Sequence, residues 1–409
     1  MFLVIGAKLL TAWRGRTLVQ VAALIPSVLL TTIFVFGIYG LEVKYQKGQS
    51  DLRRLARLAR DLPQWQSRAA VIKAGILGGA RLDPLPVRTP LNACIHSRRE
   101  MHGYSVENVF FESIPGFFVL GNLYTPAVPT KGARQPVVLI AQGHFANGRF
   151  NDHSQQLAAT FARMGAVAFT YDMAGRGESA QVHHGNPNAL TLQLWDSMRT
   201  LDFLLGRDDV DPAHIGMTGA SGGGTQTFLC TAVDDRVTAS APVVMVSSWV
   251  YGGCACEIGF PIHRGAGYET NNAEIAALAA PRPQLLVSDG HDWTRTTPTK
   301  EFPFIKHIYD FFGAADNIEN VHLSDEYHDY GPSKRQAVYR FFAKHLGLSL
   351  QGVALPDGTI DESPNTMEAI DAMRAFDATH PMPGNALHDW EAVTAELRTL
   401  QHPAAYRPN

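Results

Sequence analysis

The apolar positions of this chain follow two periods that take turns. Residues 104–111 and 116–124 are rich in β-branched and aromatic side chains and meet at Ile114-Pro115-Gly116, which predicts an antiparallel pair of strands. Residues 136–141 carry the run Val137-Val138-Leu139-Ile140, unbroken by polar positions, as in a strand covered on both faces. Beyond it, helical spacing and short apolar runs alternate. The pattern predicts helix 152–164, strand 166–171, helix 190–205, a strand through Ile215, strands 239–246 and 284–288, helix 302–312, a strand near Val321 and helix 333–346. Strands alternating with helices imply an α/β fold, a mostly parallel central sheet with helices on both faces.

The ends of the chain lie outside that alternation. From Leu18 to Leu41 there is no charged residue, a stretch long enough to span a bilayer, which takes about 20 apolar residues, and longer than a signal-peptide core of about 7–15. Lys8, Arg14 and Arg16 precede it, and no small-x-small cleavage site follows. An N-terminal hydrophobic helix is therefore expected, retained as a membrane anchor or used for export. Lys44, Lys47, Arg53, Arg54, Arg57 and Arg60 follow it; that excess of positives would hold the remainder in the cytoplasm and leaves orientation open. Leu52, Leu55, Leu58, Ala59 and Leu62 fall at helical spacing among these arginines. They fit either a helix lying on anionic headgroups or an amphipathic helix packed on the domain. Three prolines in residues 81–90 suggest an extended connection. The expected organisation is a membrane segment (1–45), a helical and proline-rich linker (46–100), a catalytic domain (101–348) and a C-terminal strap without chemistry (349–409) that ends in a helix over 390–400.

The most telling stretch is residues 214–227, read as a strand, a sharp turn and a helix start, with Ser221 at the apex. Gly219-Ala220-Ser221-Gly222-Gly223 fits G-x-S-x-G, in which small residues let neighbouring backbone pass close to a serine on a strained bend. A helix beginning just after the serine aims free N–H groups at any oxyanion formed there.

Composition narrows the classes. With 409 residues, 45% of them hydrophobic, the chain can bury a large core. A net charge of −3 without a basic face gives no footprint for nucleic acid. Four cysteines are too few for a disulfide scaffold, and the redox state of Cys94, Cys254 and Cys256 stays open. Cys254-Ala255-Cys256 lacks the paired spacing of a zinc ribbon, so a metal held by Cys254, Cys256 and His263 is not expected. No phosphate loop is present and no G-x-G-x-x-G opens the first strand-helix unit; no cofactor is expected.

Four stretches carry a family resemblance: Ala141-Gln142-Gly143-His144, the run from Tyr171 through Gly175-Arg176-Gly177-Glu178-Ser179, the turn at Ser221, and Ala280-Pro281-Arg282-Pro283 leading to Asp292-Trp293-Thr294. Together they resemble the α/β-hydrolase superfamily, and within it the acetyl-xylan-esterase-like and dienelactone-hydrolase-like serine esterases, over about residues 104–348. Gln142 departs from the histidine that many relatives carry. The resemblance implies the chain order nucleophile, acid, histidine: Ser221, then Asp292, then His328 on the polar loop before the last domain helix. Asp289, nearer the strand end, and Glu257, after strand 239–246, are alternative acids. It implies oxyanion donors at the backbone N–H of Gly222 and of His144 or Phe145, and a cleft bordered by Gln142, Trp293, Cys254 and Cys256. Residues 252–257 and 270–275 would bracket an insertion over that cleft, and His183 and His184 lie in a loop that could border it. Arg176 and Glu178 are expected to pin their loop. The implied activity is hydrolysis of a small-molecule or carbohydrate ester through an acyl-enzyme, with acetylated polysaccharide the family-level expectation. The alternatives are a prolyl-oligopeptidase-like peptidase, disfavoured because no propeller-sized domain precedes residue 100, and a membrane-tethered, non-catalytic binding protein.

Overall fold

Among the described residues nine strands form one sheet, with the order β1-β2-β3-β5-β4-β6-β7-β10-β11. They are β1 (Cys94–Glu100), β2 (Tyr104–Ile114), β3 (Phe117–Pro126), β4 (Gln135–Ala141), β5 (Val167–Tyr171), β6 (Val210–Ala220), β7 (Ala239–Val243), β10 (Gln284–Asp289) and β11 (Ile318–Leu323). A separate ladder pairs β8 (Arg264–Gly265) with β9 (Tyr268–Glu269). The computed structural model describes residues 40–127 and 134–402, which divide into two units between Ser50 and Asp51. In the first unit residues 40–50 are helical. The hydrophobic segment expected over residues 18–41 lies, apart from Gly40 and Leu41, outside the described residues. Among the described residues no helix is long and apolar enough to cross a membrane.

The first strands run antiparallel, β1 to β2 to β3 to β5, and the rest pair in parallel, β5 to β4 to β6 to β7 to β10 to β11. Alternate residues of the central strands face opposite layers. Val137 and Leu139 of β4 join the cluster containing Trp195, Met198 and Leu201, and Val138 and Ile140 join Leu157, Phe161 and Phe342 on the other side. The helices supplying those layers include α1 (Leu62–Gly79), α2 (Asp152–Arg163), α3 (Asn188–Leu205), α4 (Gly222–Val233) and, further on, α7 (Glu301–Phe311) and α8 (Pro332–Leu346). Between α4 and α7 stand the short α5 (Ala255–Ile258) and α6 (Asn272–Ala276).

Three local features differ from the sequence reading. The helix expected over 51–62 stops at Leu55, and α1 starts afresh at Leu62, where Asp61 caps it by accepting from Gln64 N. Leu52, Leu55 and Ala59 are buried while Leu58 stays exposed, so most of this apolar spacing is packed in protein. β1 was not expected, because Cys-Ile-His-Ser-Arg-Arg-Glu is mostly polar; it is an edge strand, ordered by its ladder with β2 rather than by burial. β7 ends at Val243, earlier than expected, because Val244 takes a φ of 47° and turns the chain out of the sheet.

The C-terminal segment crosses the antiparallel end of the sheet. Phe376 and Ala375 pack with Phe110, Phe118 and Leu120, and the strap's backbone takes hydrogen bonds from buried side chains beneath. Asn108 Nδ2 donates to the carbonyls of Ala372 and Arg374, and Asn122 Nδ2 to that of Met373. Its last helix is α10 (Trp390–Gln401), following the four-residue α9 (Ile370–Met373).

Candidate active site

β6 delivers the chain to Ser221, which sits at φ 58° and ψ −123° between strand and α4. A non-glycine residue in such a conformation costs about 1–3 kcal/mol and persists only where its surroundings impose it. Here Ser221 N donates to Val243 O and Thr225 N donates to Ser221 O, both at 3.0 Å. The end of β4 passes so close that a Cβ on Gly223 would stand 2.3 Å from Ala141 O, which only glycine tolerates. Because α4 starts at Gly222, its first-turn N–H groups have no intrahelical acceptor and the positive end of its dipole lies beside the serine. Ser221 lines a pocket of about 280 Å³ with His144, Met245, Cys254, Glu257 and Trp293.

His328 and Asp292 are in contact, Nδ1 to Oδ2 at 2.7 Å. Asp292 caps the 3-10 turn that follows β10, its Oδ1 accepting from Thr294 N and Thr294 Oγ1. That leaves Oδ2 for the imidazole. The His328 ring is 4.5 Å from Trp293 and 6.2 Å from Phe145, centroid to centroid.

Lys334, which sequence reasoning passed over, organises the histidine's loop. It is fully buried on α8 and donates to Tyr327 O at 2.6 Å and Asp329 Oδ1 at 2.8 Å, the residues on either side of His328. Its ammonium also stands 3.4 Å from Asp289 and from Glu326. Burial works against its charge, but the Asp329 hydrogen bond and the surrounding carboxylates outweigh it and hold its pKa above the ordinary lysine value. A lysine one turn into an otherwise ordinary helix gives no sequence signal of this; only the folded loop does.

The alternative acids are committed elsewhere. Asp289 faces Lys334, and burial together with the nearby Asp292 pushes its pKa up to about 6. Glu257 accepts from Thr225 Oγ1, Gly253 N and Cys254 N, bracing the 252–256 loop on α4. Gln142, expected at the cleft, is not there: it is buried, bonded to Thr170 Oγ1 and Ser154 Oγ, and its carbonyl accepts from Gln226. Cys256 is likewise buried behind the pocket rather than bordering it, whereas Trp293 and Cys254 do line it.

His144 follows Gly143 out of β4 and packs on the elbow, its Nδ1 2.7 Å from where a Cβ of Gly222 would be. Burial and the neighbouring Arg176 lower its pKa to about 4, so the imidazole is neutral. His263 is not near the cysteine pair in any bonding sense: its Nε2 meets Asn272 Oδ1 at 2.7 Å and its ring stacks on Tyr251. His184 instead reaches His144. Glu178 accepts from Arg149, Ala375 N and Phe376 N, tying its loop to the C-terminal strap. The four cysteines are free thiols.

The strained serine turn stands at the end of β6 in a mixed, mostly parallel sheet, and the known proteins that resemble the chain include several hydrolases. The profile of the X-Pro dipeptidyl-peptidase (S15) family matches residues 119–310. A methylesterase, BT1017, superposes with a TM-score of 0.79 at 39% identity, covering 88% of this chain and 80% of its own. A Bacillus subtilis (strain 168) protein named as a hydrolase, YtaP, is 30% identical over 166 residues, 38% of this chain; the match spans only 54% of that relative's length. A glucuronoyl esterase from Solibacter usitatus shares the fold at 17% identity and a TM-score of 0.51, over 70% of this chain and 94% of that one. The chain belongs to the α/β-hydrolase superfamily.

Replacing Lys334 by methionine leaves Asp289, Asp329 and Glu326 around an uncompensated site. Breaking a buried pair in this way costs about 3–5 kcal/mol, so Lys334→Met should lower the denaturant midpoint accordingly. An unchanged midpoint would remove Lys334 from its organising role.

Proposed function

We propose that the chain is a serine esterase in which Ser221, His328 and Asp292 act together. The observation that carries this reading is the 2.7 Å contact between His328 Nδ1 and Asp292, next to a tryptophan that shares a pocket with Ser221. With Nδ1–H donated to the carboxylate, Nε2 is the nitrogen left to take a proton. Ser221 Oγ bonds to the ester carbonyl carbon as its proton passes to His328. The tetrahedral oxyanion is met by the N–H of Gly222 and by an N–H of His144 or Phe145. The carbonyl–alkoxy bond then breaks and the alcohol leaves with the proton from His328. Water, deprotonated by the same imidazole, releases the acid from the acyl-enzyme.

The substrate we propose is a carbohydrate ester in which a methyl or acetyl group enters the pocket. The small volume and the 39% identity to a methylesterase support that size. The match to the X-Pro dipeptidyl-peptidase family keeps a peptidase as the second reading. A dipeptidyl-peptidase binds a peptide's free N-terminal ammonium, for which a carboxylate is the natural partner. Glu257, which lines the pocket, already accepts three hydrogen bonds, which favours the ester. A non-catalytic, membrane-tethered binding role is the remaining alternative, and turnover of any simple ester would exclude it.

A fluorophosphonate probe should label the wild type and leave Ser221→Ala unlabelled, with kcat down on the order of 10⁴–10⁶-fold. On a panel of a sugar-acid methyl ester, an acetylated sugar and an X-Pro amide, turnover should be confined to the esters; cleavage of the amide alone would establish the peptidase. Between the acids, Asp292→Asn should lower kcat by about 10³–10⁴-fold, while Asp289→Asn keeps most of the activity. The reverse order would transfer the acid's role to Asp289.

The uncharged segment from Leu18 to Leu41 supports an enzyme tethered to a membrane or exported across it. An export-dependent reporter fused after residue 409 should be active if the catalytic part is translocated, and silent if the positives from Lys44 to Arg60 retain it inside.

A further inference from the structure

Three loops meet beside the nucleophile and bring together four side chains that sequence spacing does not connect. His144 comes from the end of β4, His184 from the segment between β5 and α3, and Cys254 and Cys256 from the start of α5. One donor atom from each lies within 4.8 Å of every other. His144 Nε2 is 3.0 Å from His184 Nε2 and 3.2 Å from Cys256 Sγ. A tetrahedral ion with metal–nitrogen bonds of about 2.0–2.1 Å and metal–sulfur bonds of about 2.3 Å sets its donors roughly 3.3–3.8 Å apart. These two separations fall just below that range, and the other pairs lie within 4.8 Å. We propose that His144, His184, Cys254 and Cys256 form a binding site for one zinc-class divalent transition metal.

The hydrogen bonding within the cluster points the same way. His184 Nδ1 lies 2.7 Å from Ala174 O, a carbonyl that can only accept, so Nδ1 carries the proton and Nε2 presents a lone pair. That lone pair faces the Nε2 of His144. Without an ion the two nitrogens must share a single proton; with one, both lone pairs and both sulfurs converge on the same centre. The carbonyl on the far side of His184 is the kind of outer partner that fixes a ligating imidazole's tautomer and direction. On the cysteine side, Glu257 accepts from Cys254 N and Gly253 N and from Thr225 Oγ1, so the loop carrying both sulfurs is braced on α4. His184 and Cys256 are buried.

The donor set selects the metal. Two imidazoles and two thiols suit zinc and its neighbours, not magnesium or calcium, which take oxygen ligands. On binding, both thiols give their protons to solvent and the two thiolates balance the 2+ charge, so the half-buried centre is neutral. Four protein ligands fill a tetrahedron and leave no position for water or substrate, so the ion positions rather than reacts. It would clamp three loops at the edge of the pocket and hold the imidazole of His144 against Gly222. The sequence reading expected no metal because Cys254-x-Cys256 was judged with its local neighbours; the two histidines come from other loops.

The test uses the full chain, purified under reducing conditions from zinc-supplied cells. Elemental analysis should return about one zinc per chain, and exchange with cobalt should produce the near-ultraviolet thiolate-to-cobalt charge-transfer absorption of a tetrahedral site. Ser221→Ala should carry the metal undiminished, which separates this proposal from the esterase reading, and so should Cys94→Ser. Cys254→Ser/Cys256→Ser and His184→Asn should hold at least tenfold less zinc and lose the cobalt band. A wild type with no stoichiometric metal and no charge-transfer band on cobalt titration would overturn the proposal, whatever the variants do. Undiminished metal in the double cysteine variant would overturn it equally.

Discussion

The backbone of Ser221 is held where a serine does not rest by choice, and the arrangement around it follows from that. A left-handed φ at this residue requires two strands to close on it from either side: β7 supplies the acceptor for its N–H, and β4 passes within reach of Gly223. The strain is met by the sheet rather than by the turn itself. Buried strands such as β4 and β5, covered on both faces, are rigid enough to impose it. That is why the alternation of layers matters for chemistry as well as for stability: the same packing that orders Val138 and Leu139 on opposite faces keeps the elbow bent.

The central architecture was legible because its signals are local. Unbroken runs such as Val137 to Ile140 and helical spacing over 190–205 each contain their own period, and the strand order follows from connection rules once the elements are known. The serine turn was legible for the same reason, since G-x-S-x-G packs its steric requirement into five residues. Asp292 was picked out by its position after β10 and its Trp-Thr neighbours, and the contact with His328 rests on that turn's capping by the other carboxylate oxygen.

What escaped were features decided by partners distant in sequence. β1 is polar and gains its order from one neighbouring strand. Gln142 sits beside the elbow in sequence yet spends its amide on Thr170 and Ser154, because β5 and α2 lie behind it in the fold. Lys334 and the cluster of His144, His184 and two cysteines are convergences of loops, and no periodicity encodes a convergence. The helix over 51–62 failed for a different reason: its apolar spacing was real, but Asp61 and Pro63 offer a better helix start at Leu62.

The strap after Leu348 reads as an appendage by composition, but the side chains beneath it are not built to face water. Asn108, Asn122 and Arg149 each donate to a carbonyl between Ala372 and Arg374, and Glu178 accepts from the amides of Ala375 and Phe376. The tail is thus the missing polar lining of the domain's antiparallel end. Shortening the chain at the apparent end of the hydrolase would not trim a decoration; it would open the buried Arg149, Asp172 and Glu178 network to solvent.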